Sequence, residues 1–456
     1  MIRSHRPQSV VIAGAGVAGL SAALALSRSG IRVTIVERDA VAELSWTRAG
    51  VPHFSQPHIL LPRGRQALLR RFPDVYAALL RMGALEIDPA RKLLGECRPG
   101  DEELLALAVR RPLLESALRA AVLAEPEIRV ISGQKITGLA GRAGSVPRIE
   151  GLRTAAGDMI GGDLVVDALG RTSPVPAWIE ALGGRPPQVE SFPCGFVYYS
   201  RHFRLRPDVD LPDGPWLFGP RGKIGPMTFL MFYGDNRTFA ISFCVPTGVR
   251  DLRVIRHEAA FMAACRAVPV LREAADPRSA EPISPVMPLG SLQNTFRHYQ
   301  QDGGPCALGT LPIGDAICHT DPSFSLGLSF ALDHAGKLAD AITGNPGDGL
   351  AQARAYFAAI EPEARERFLM IRNIYAARER KRQGEPLDFT KRSSCYPLFA
   401  SMGLDAAALM DAEIFRVAVR RFGLLDRLSV FDNDIRLQDR VEELLKDGME
   451  QSPAAA

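Results

Sequence analysis

The sequence lacks the patterns that mark metal-binding, membrane-spanning and nucleic-acid-binding proteins. Its seven cysteines are scattered, and no CxxC pair or Cys/His cluster has the spacing of metal ligands. We therefore expect no metal site, and reduced thiols in a cytoplasmic protein. No uninterrupted apolar run approaches the roughly 20 residues of a membrane-spanning helix, so we expect no transmembrane segment. A net charge of +4 from 55 basic and 51 acidic residues, without a basic stripe, indicates no nucleic-acid partner.

What the sequence does contain is enough apolar material for a large core. Hydrophobic residues make up 46% of the 456 residues, and a chain of this length is expected to form two or three structural units. The pattern predicts an α/β fold: a Rossmann-like domain with a parallel sheet, an inserted antiparallel-sheet substrate domain and a helical C-terminal region. The predicted bounds are 1–173 with 280–345, then 174–279, and finally 346–456.

Individual elements are predicted from hydrophobic periodicity and turn residues. The predicted helices include 66–82, 111–123 and 327–343. The predicted strands include 128–132, 149–154, 163–168, 196–205, 227–233 and 237–245, and the last two flank a hairpin at 234–236.

The first chemical motif is a glycine-rich turn between a predicted strand and a predicted helix. Its residues are Gly14, Ala15, Gly16, Val17, Ala18 and Gly19. Gly14 permits the tight turn, Gly16 lets the backbone approach a pyrophosphate, and Gly19 lets helix and strand pack closely. Glu37 ends the next strand roughly 20 residues on, where its carboxylate can accept hydrogen bonds from ribose hydroxyls. The pattern predicts a dinucleotide site; the alternative is a glycine-rich turn without a ligand.

Two later motifs follow strands in the same manner. Gly314 and Asp315 end a strand, where a carboxylate can bond a ribityl hydroxyl of a flavin. The segment from Pro322 to Gly327 then opens a helix whose N-terminus can face the flavin pyrimidine, which gains negative charge on reduction. The segment Asp167-Ala-Leu-Gly170-Arg171-Thr-Ser173 ends a middle strand and is either an ordinary left-handed turn or a loop near the flavin and pyrophosphate.

These motifs, in this order, resemble the FAD-dependent monooxygenase superfamily with the para-hydroxybenzoate hydroxylase fold. They look most like the bacterial branch of natural-product epoxidases and hydroxylases. That branch also shows a Val-Pro…His-Leu-Leu segment and an Arg-Pro-x-Leu segment. Here these are matched by Val51-Pro52 with His58-Ile-Leu-Leu61, and by Arg111-Pro-Leu-Leu114. The likeness spans roughly residues 9–340.

The resemblance implies FAD bound by residues of all three motifs and by Arg111. The full set is Gly14, Ala15, Gly16, Val17, Ala18, Gly19, Glu37, Arg38, Arg111, Asp167, Gly170, Gly314, Asp315, Pro322, Leu326 and Gly327. It also implies that NAD(P)H reduces the flavin, which captures O₂ as a C4a-hydroperoxide and oxidises an electron-rich ring or alkene. The protein would position the substrate and exclude water.

The sequence departs from the family pattern at two points. Ser325 replaces the first glycine of Pro-x-x-Gly-x-Gly, so that either its hydroxyl acts beside the flavin or the loop tolerates serine. The middle motif differs from the Asp-Gly motif of single-component hydroxylases, and no second GxGxxG occurs. A stably bound NADPH domain is therefore not expected, and reduced flavin from a partner reductase is the alternative.

The catalytic and substrate-binding candidates are chosen by their position relative to the expected flavin site and the predicted antiparallel sheet. His58, a general acid or base, and Ser325 are the catalytic candidates. Tyr199, Phe229 and Met231 are expected to line a pocket for a small apolar, aromatic or isoprenoid-like substrate, although most of that segment is sheet core. His319 and Asp321 are equally compatible with capping and catalysis, and His334 is expected to be a packing residue.

The function expected is a monooxygenase of secondary or catabolic metabolism that hydroxylates or epoxidises its substrate. Its partners would be the small-molecule substrate and O₂, with a flavin reductase or a second copy of the chain as further possibilities. The alternatives are a carbon–carbon reductase like the geranylgeranyl reductases, a flavin-binding scaffold or redox sensor, and a halogenase. The halogenase Trp-x-Trp-x-Ile-Pro stretch is absent, because Trp46, Trp178 and Trp216 are isolated.

Overall fold

The computed structural model describes residues 8–40, 48, 50, 51, 53–95, 97–212, 214 and 219–451. Trp46, Pro52 and Trp216, which the sequence analysis named, lie outside the described residues. Up to residue 173 the elements are β1 (Ser9–Ala13), α1 (Val17–Ser27), β2 (Arg32–Val36), α2 (Pro62–Arg71), α3 (Pro73–Arg81), β3 (Leu85–Ile87), α4 (Pro89–Leu94), β4 (Ala106–Ala108), α5 (Arg111–Ala124), β5 (Ile128–Ile131), β6 (Ile136–Arg142), β7 (Arg148–Thr154), β8 (Met159–Gly161) and β9 (Leu164–Asp167).

The middle of the chain is mostly β-structure. Its elements are α6 (Val175–Ala181), β10 (Gln188–Pro193), β11 (Phe196–Leu205), β12 (Arg221–Ile224), β13 (Met227–Tyr233), β14 (Thr238–Pro246), α7 (Glu258–Ala267), α8 (Pro269–Ala274), β15 (Ala280–Pro282) and β16 (Met287–Leu289).

The last part of the chain becomes helical. Its elements are β17 (Gln293–His298), β18 (Gln300–Gln301), β19 (Gly304–Pro305), β20 (Thr310–Pro312), β21 (Cys318–His319), α9 (Leu326–Gly344), α10 (Gly349–Arg382), α11 (Tyr396–Leu398), α12 (Leu404–Ala407), α13 (Ala412–Phe422), α14 (Ser429–Asp432) and α15 (Ile435–Gln451).

A five-stranded parallel sheet brings the three sequence motifs to one edge. Its strand order is β20-β9-β1-β2-β5, and every neighbouring pair is parallel. The strands are apolar runs because helices α1 and α5 pack against the sheet, with α9 packed against α1. The carboxyl ends of parallel strands lie together, so the turns after β1, β2, β9 and β20 meet there. The predicted α/β class and Rossmann-like sheet are confirmed.

The antiparallel sheet forms a second layer with its own core. Its order is β12-β13-β14-β11-β15, and β16 also pairs with β11. The predicted hairpin between β13 and β14 is present. One correction concerns the boundary at residue 280, because β15 and β16 still belong to this sheet. The first later strand that pairs with the parallel sheet is β20.

A second correction concerns the predicted helix at 66–82. The structure divides it into α2 and α3 at Phe72, because Pro73 has no N–H to continue the first helix. Elsewhere the helical prediction is close, since α5 and α9 differ by one residue at each displaced end.

Two connecting features join the layers. A three-stranded sheet, β10-β17-β21, links the antiparallel sheet to the turn after β20. The 34-residue helix α10 packs against α9 and against β17 and β21. Within the described part of the chain, the helices are too short or too polar to cross a bilayer.

Candidate functional site

The carboxyl-terminal edge of the parallel sheet opens into a cleft of about 480 Å³. Both catalytic candidates, His58 and Ser325, line this cleft. Among the predicted cofactor-binding residues, those that line it are Gly14, Gly16, Val17, Ala18, Glu37, Arg38, Arg111, Gly170, Asp315, Pro322, Leu326 and Gly327. Four others, Ala15, Gly19, Asp167 and Gly314, do not appear among its described wall residues.

The three glycines of the first turn have different structural roles. Gly14 has φ of +100°, and a Cβ there would lie 2.9 Å from the Ala168 carbonyl oxygen. A Cβ on Gly19 would overlap the Gly14 carbonyl oxygen, so helix and turn could not pack. At Gly16 there is room for a Cβ, because the nearest atom to it would be Arg111 Nη2 at 3.5 Å. No side chain caps α1 at Gly16, so the helix N-terminus offers bare amides to the cleft.

Glu37 holds this turn and is itself held by a buried arginine. Its Oε2 accepts a hydrogen bond of 2.7 Å from the Ala15 N–H, and Arg48 Nη2 lies 2.9 Å from the same oxygen. Arg48 also pairs with Glu115 at 2.5 Å and with Asp39 at 3.3 Å. Although burial opposes it, the attraction of Glu115 and Glu37 raises the pKa of Arg48. The carboxylate thus lies at the mouth of the glycine turn, where a ribose would follow the pyrophosphate.

Arg111, at the start of α5, supplies a positive charge to the same region. Its Nε donates to Glu115 at 2.7 Å, and its Nη1 is 2.6 Å from His53 Nε2. Because the guanidinium can only donate, His53 accepts through Nε2 and carries its proton on Nδ1. Burial and the charge of Arg111 lower the pKa of His53 well below its usual value. His53 is therefore a neutral part of the cleft wall.

His58 and His319 are fixed in one tautomer by backbone carbonyls. His58 Nδ1 donates to the Gln56 carbonyl at 2.6 Å, and His319 Nδ1 donates to the Gln293 carbonyl at 2.7 Å. Burial lowers the pKa of His58 to about 3, so its ring is neutral. In both rings Nε2 has no hydrogen-bond partner among the described residues.

The second motif brings a second helix start into the cleft. Ser325 precedes α9 in the left-handed region, with φ of 54° and ψ of 24°. Its side chain caps no amide of the helix, and a Cβ on Gly327 would lie 3.4 Å from Asp315 Oδ1. Asp315 and the amides of α9 therefore face the same part of the cleft. A helix N-terminus there favours negative charge on a bound ring.

The expected cofactor contact of Asp167 is corrected by the structure. The carboxylate is fully buried and accepts hydrogen bonds from Ser173 Oγ at 2.6 Å and from the Leu169 N–H at 3.1 Å. Burial raises its pKa to about 6. Asp167 shapes the turn from inside, whereas Gly170, with φ of +75°, lines the cleft.

The predicted substrate residues lie on the face of the antiparallel sheet that forms the second core. Tyr199, Phe229 and Met231 are buried in the second core, which includes Phe261 of α7. Side chains alternate along a strand, so the neighbouring Tyr198 points to the other face and packs with Leu289 and Leu292. Leu289 and Leu292 line the cleft. Tyr199, Phe229 and Met231 are not among the described residues that line the cleft.

Asp321 is a cap, as one of the two sequence interpretations had it, and His334 is a packing residue. Asp321 accepts from the Ser323 N–H at 2.7 Å at the start of a short 3₁₀ helix. His334 is buried and stacks on Phe330. Sequence reasoning missed several cleft residues, namely Arg48, His53, Gln56, Trp178, Leu289 and Leu292. His53 lies within the segment 51–61 that the resemblance singled out, so a signal for it was present.

The residues fit FAD. An uncapped helix N-terminus with open space at Gly16 can receive a pyrophosphate, and Arg111 adds a positive charge. Residues 9–173 match the family described as FAD dependent oxidoreductase. This chain is an FAD-dependent oxidoreductase.

Other proteins resemble this oxidoreductase over most of its length. Protein Rv3254 of Mycobacterium tuberculosis is 28% identical over 354 residues, which cover 73% of this chain and 72% of that protein. PqsL, named a probable FAD-dependent monooxygenase from Pseudomonas aeruginosa, superposes with a TM-score of 0.60 at 18% identity, covering 82% of this chain and 96% of PqsL. The flavin-dependent brominase Bmp2 superposes with a TM-score of 0.61 at 17% identity, covering 95% and 100%. At these identities the solved structures show a shared fold.

Proposed function

We propose that this oxidoreductase is a monooxygenase that uses electrons from NAD(P)H and O₂ to hydroxylate or epoxidise a small apolar, aromatic or isoprenoid-like substrate. The observation that carries the proposal is the extent of the cleft. Beyond the three flavin motifs, it continues to a wall built from Leu289, Leu292, His58 and His319. That wall provides an apolar place for a substrate beside the cofactor. The fold shared with PqsL supports the same reaction class.

The residues of this chain would bind, shield and orient the two reactants. FAD supplies the activation of O₂ when it is bound. Gly16, Arg111 and Glu37 hold the nucleotide part, while Asp315 and the start of α9 hold the ring end. Leu289 and Leu292 exclude water from the substrate. His319 Nε2, whose ring orientation is fixed by the Gln293 carbonyl, takes up a proton that the substrate releases.

The source of electrons is part of the proposal. We expect NAD(P)H to reduce the flavin in a transient encounter, or a partner reductase to deliver reduced flavin. The purified chain, loaded with FAD, distinguishes the two routes. Substrate-stimulated NAD(P)H oxidation by the chain alone supports the first, and product formation only with an added reductase and free flavin supports the second.

Isotope labelling tests the monooxygenase reaction against its main alternative. Under ¹⁸O₂, one ¹⁸O atom per product molecule is expected. A reductase of carbon–carbon bonds would instead form product without O₂ and without label. Product formed at an undiminished rate under anaerobic conditions would therefore contradict the proposal.

Halogenation is a second candidate, because the chain covers the whole length of the brominase Bmp2 at a TM-score of 0.61. The two activities differ in their dependence on halide. A monooxygenase forms the same oxygenated product with and without bromide, whereas a brominase requires bromide and forms a carbon–bromine bond. Mass spectra of products made with and without bromide decide between them.

A further inference from the structure

Asp321 lies in the cleft wall at a junction of three parts of the molecule. Its Oδ1 accepts a hydrogen bond of 2.5 Å from the Tyr198 hydroxyl, on β11 of the antiparallel sheet. Its Oδ2 accepts one from the Tyr375 hydroxyl, on the C-terminal helix α10. Its own N–H donates to Oδ1 of Asn294, near the start of β17, at 2.7 Å. One side chain therefore joins two distant elements to the loop that leads into α9.

This carboxylate is held by neutral donors. It is 1% exposed, and no Arg or Lys of the described chain forms an ion pair with it. Its donors are the two phenols and the Ser323 N–H. Burial, and then the nearby Asp321 carboxylate, raise the pKa of both Tyr198 and Tyr375, so both phenols keep the protons that they donate. Hydrogen bonds to a charged acceptor are stronger than neutral ones.

The loop that Asp321 begins is strained at its other end. Four residues later Ser325 adopts the left-handed conformation that the family pattern assigns to glycine, and it lines the cleft. A non-glycine residue persists in this region only where its surroundings hold it. The Ser325 N–H donates to the Pro322 carbonyl at 2.9 Å, and Asp321 caps the turn between them.

We infer that Asp321, Tyr198 and Tyr375 are positioning residues that hold the loop 321–325 in its strained form, so that the N-terminus of α9 faces the flavin. We call this set the Asp321 clamp. The inference rests on FAD binding in the cleft and is independent of the reaction that follows. It assigns helix α10 a role in cofactor binding, although α10 contributes none of the described residues that line the cleft.

Two conservative variants test the clamp. Tyr375→Phe and Tyr198→Phe each remove one hydroxyl donor and keep the ring. We expect each to weaken FAD binding about tenfold, because a hydrogen bond to a buried charge is lost. We also expect a shift of the visible flavin bands and of the flavin reduction potential, since the amides of α9 move relative to the ring. FAD affinity and spectra are measured on the full chain without substrate, so their outcome is separate from that of the monooxygenase test.

A control and a rescue separate positioning from general stability. Tyr396→Phe removes a comparable bond, from the Tyr396 hydroxyl to Asp432 at 2.9 Å, and should leave FAD affinity and spectrum unchanged. Glycine adopts the left-handed conformation freely, so adding Ser325→Gly to Tyr375→Phe should restore FAD affinity to within about threefold of the starting protein. The inference is overturned if both clamp variants bind FAD normally, if Tyr396→Phe loses as much affinity, or if Ser325→Gly restores nothing.

Discussion

Two helices begin at the same cleft, and they reach it by different means. Helix α1 follows Gly16, which is extended with φ of −79°, and the preceding Gly14 makes the turn with φ of +100°. Helix α9 follows Ser325, which has φ of 54° and a side chain that caps nothing. Both ends offer free amides to a ligand. The first turn is made by residues that adopt it without strain, whereas the second places a serine where strain of about 1–2 kcal/mol is typical.

The difference shows where each conformation is determined. At α1, the local glycines adopt the turn without strain, and Glu37 then holds it through the Ala15 N–H. At α9, the local sequence is insufficient, and the buried bonds of Asp321 to distant tyrosines hold the loop.

The first turn should fail outright when one of its glycines gains a methyl group. In Gly19→Ala the new Cβ would overlap the Gly14 carbonyl oxygen, which is backbone and cannot move aside. We expect a loss of about 5 kcal/mol in the free energy of unfolding, with no bound FAD. Thermal unfolding and the flavin content of the purified protein measure this. Gly344→Ala is the control, because no atom lies within 4 Å of its Cβ. Near-normal flavin content in Gly19→Ala would contradict the packing argument.

The charge network beneath the first turn should give the second largest effect. Arg48→Met leaves Glu37 and Glu115 buried without their shared cation. Removing one partner from such a buried network costs about 4 kcal/mol, which urea unfolding would detect. Arg142→Met is the matched control, since its pair with Glu150 is exposed and should contribute less than about 1 kcal/mol. Equal losses in the two variants would show that burial of the network is unimportant.

The sequence predicted the elements whose form depends on neighbouring residues in the chain. The glycine turn, the acid at the end of β2 and the hairpin at 234–236 all follow from local residue types. The division at Phe72 could also have been seen, because Pro73 interrupts the helical pattern. In each of these features the backbone conformation is determined by residues that are close together in the sequence.

What the sequence did not predict depends on contacts between distant segments. Tyr199 and Tyr198 have the same residue type, and only tertiary structure shows that Tyr199 packs in the second core while Tyr198 packs with Leu289. Arg48 joins three acids that are 9 to 67 residues away in the chain. Asp167 had a reasonable local interpretation as a cofactor ligand, yet Ser173 and Leu169 occupy its oxygens. Such partners are set by tertiary structure.

The stability of the protein should depend on pH through Asp167, at the turn after β9. This turn packs against Gly14 through the Ala168 carbonyl. Asp167 has a pKa of about 6 when folded, above its ordinary 3.8. The folded protein therefore binds this proton more tightly than the unfolded chain does. The stabilisation that the protonated Asp167 contributes is lost as the pH rises from about 4 to 6. The loss is about 2–3 kcal/mol by linkage. Asp167→Asn, whose amide oxygen can accept from the Leu169 N–H and whose NH2 can donate to Ser173 Oγ, should be more stable at pH 8 and should flatten the profile between pH 4 and 7. Thermal unfolding profiles that run parallel in both proteins would contradict this.

Substitution of Ser325 should change stability least, and it tests directly how the starts of α1 and α9 differ. Ser325→Gly removes the left-handed strain but adds freedom to the unfolded chain, so stability should change by no more than about 1 kcal/mol. Ser325→Ala keeps the strain and removes only the hydroxyl. If the hydroxyl acts on the reaction, both variants should lose coupling of NAD(P)H oxidation to product. If only the backbone conformation of residue 325 matters, NAD(P)H oxidation should stay coupled to product formation in both variants. The start of α9 would then need only a left-handed residue at 325, as the turn before α1 needs glycine at Gly14.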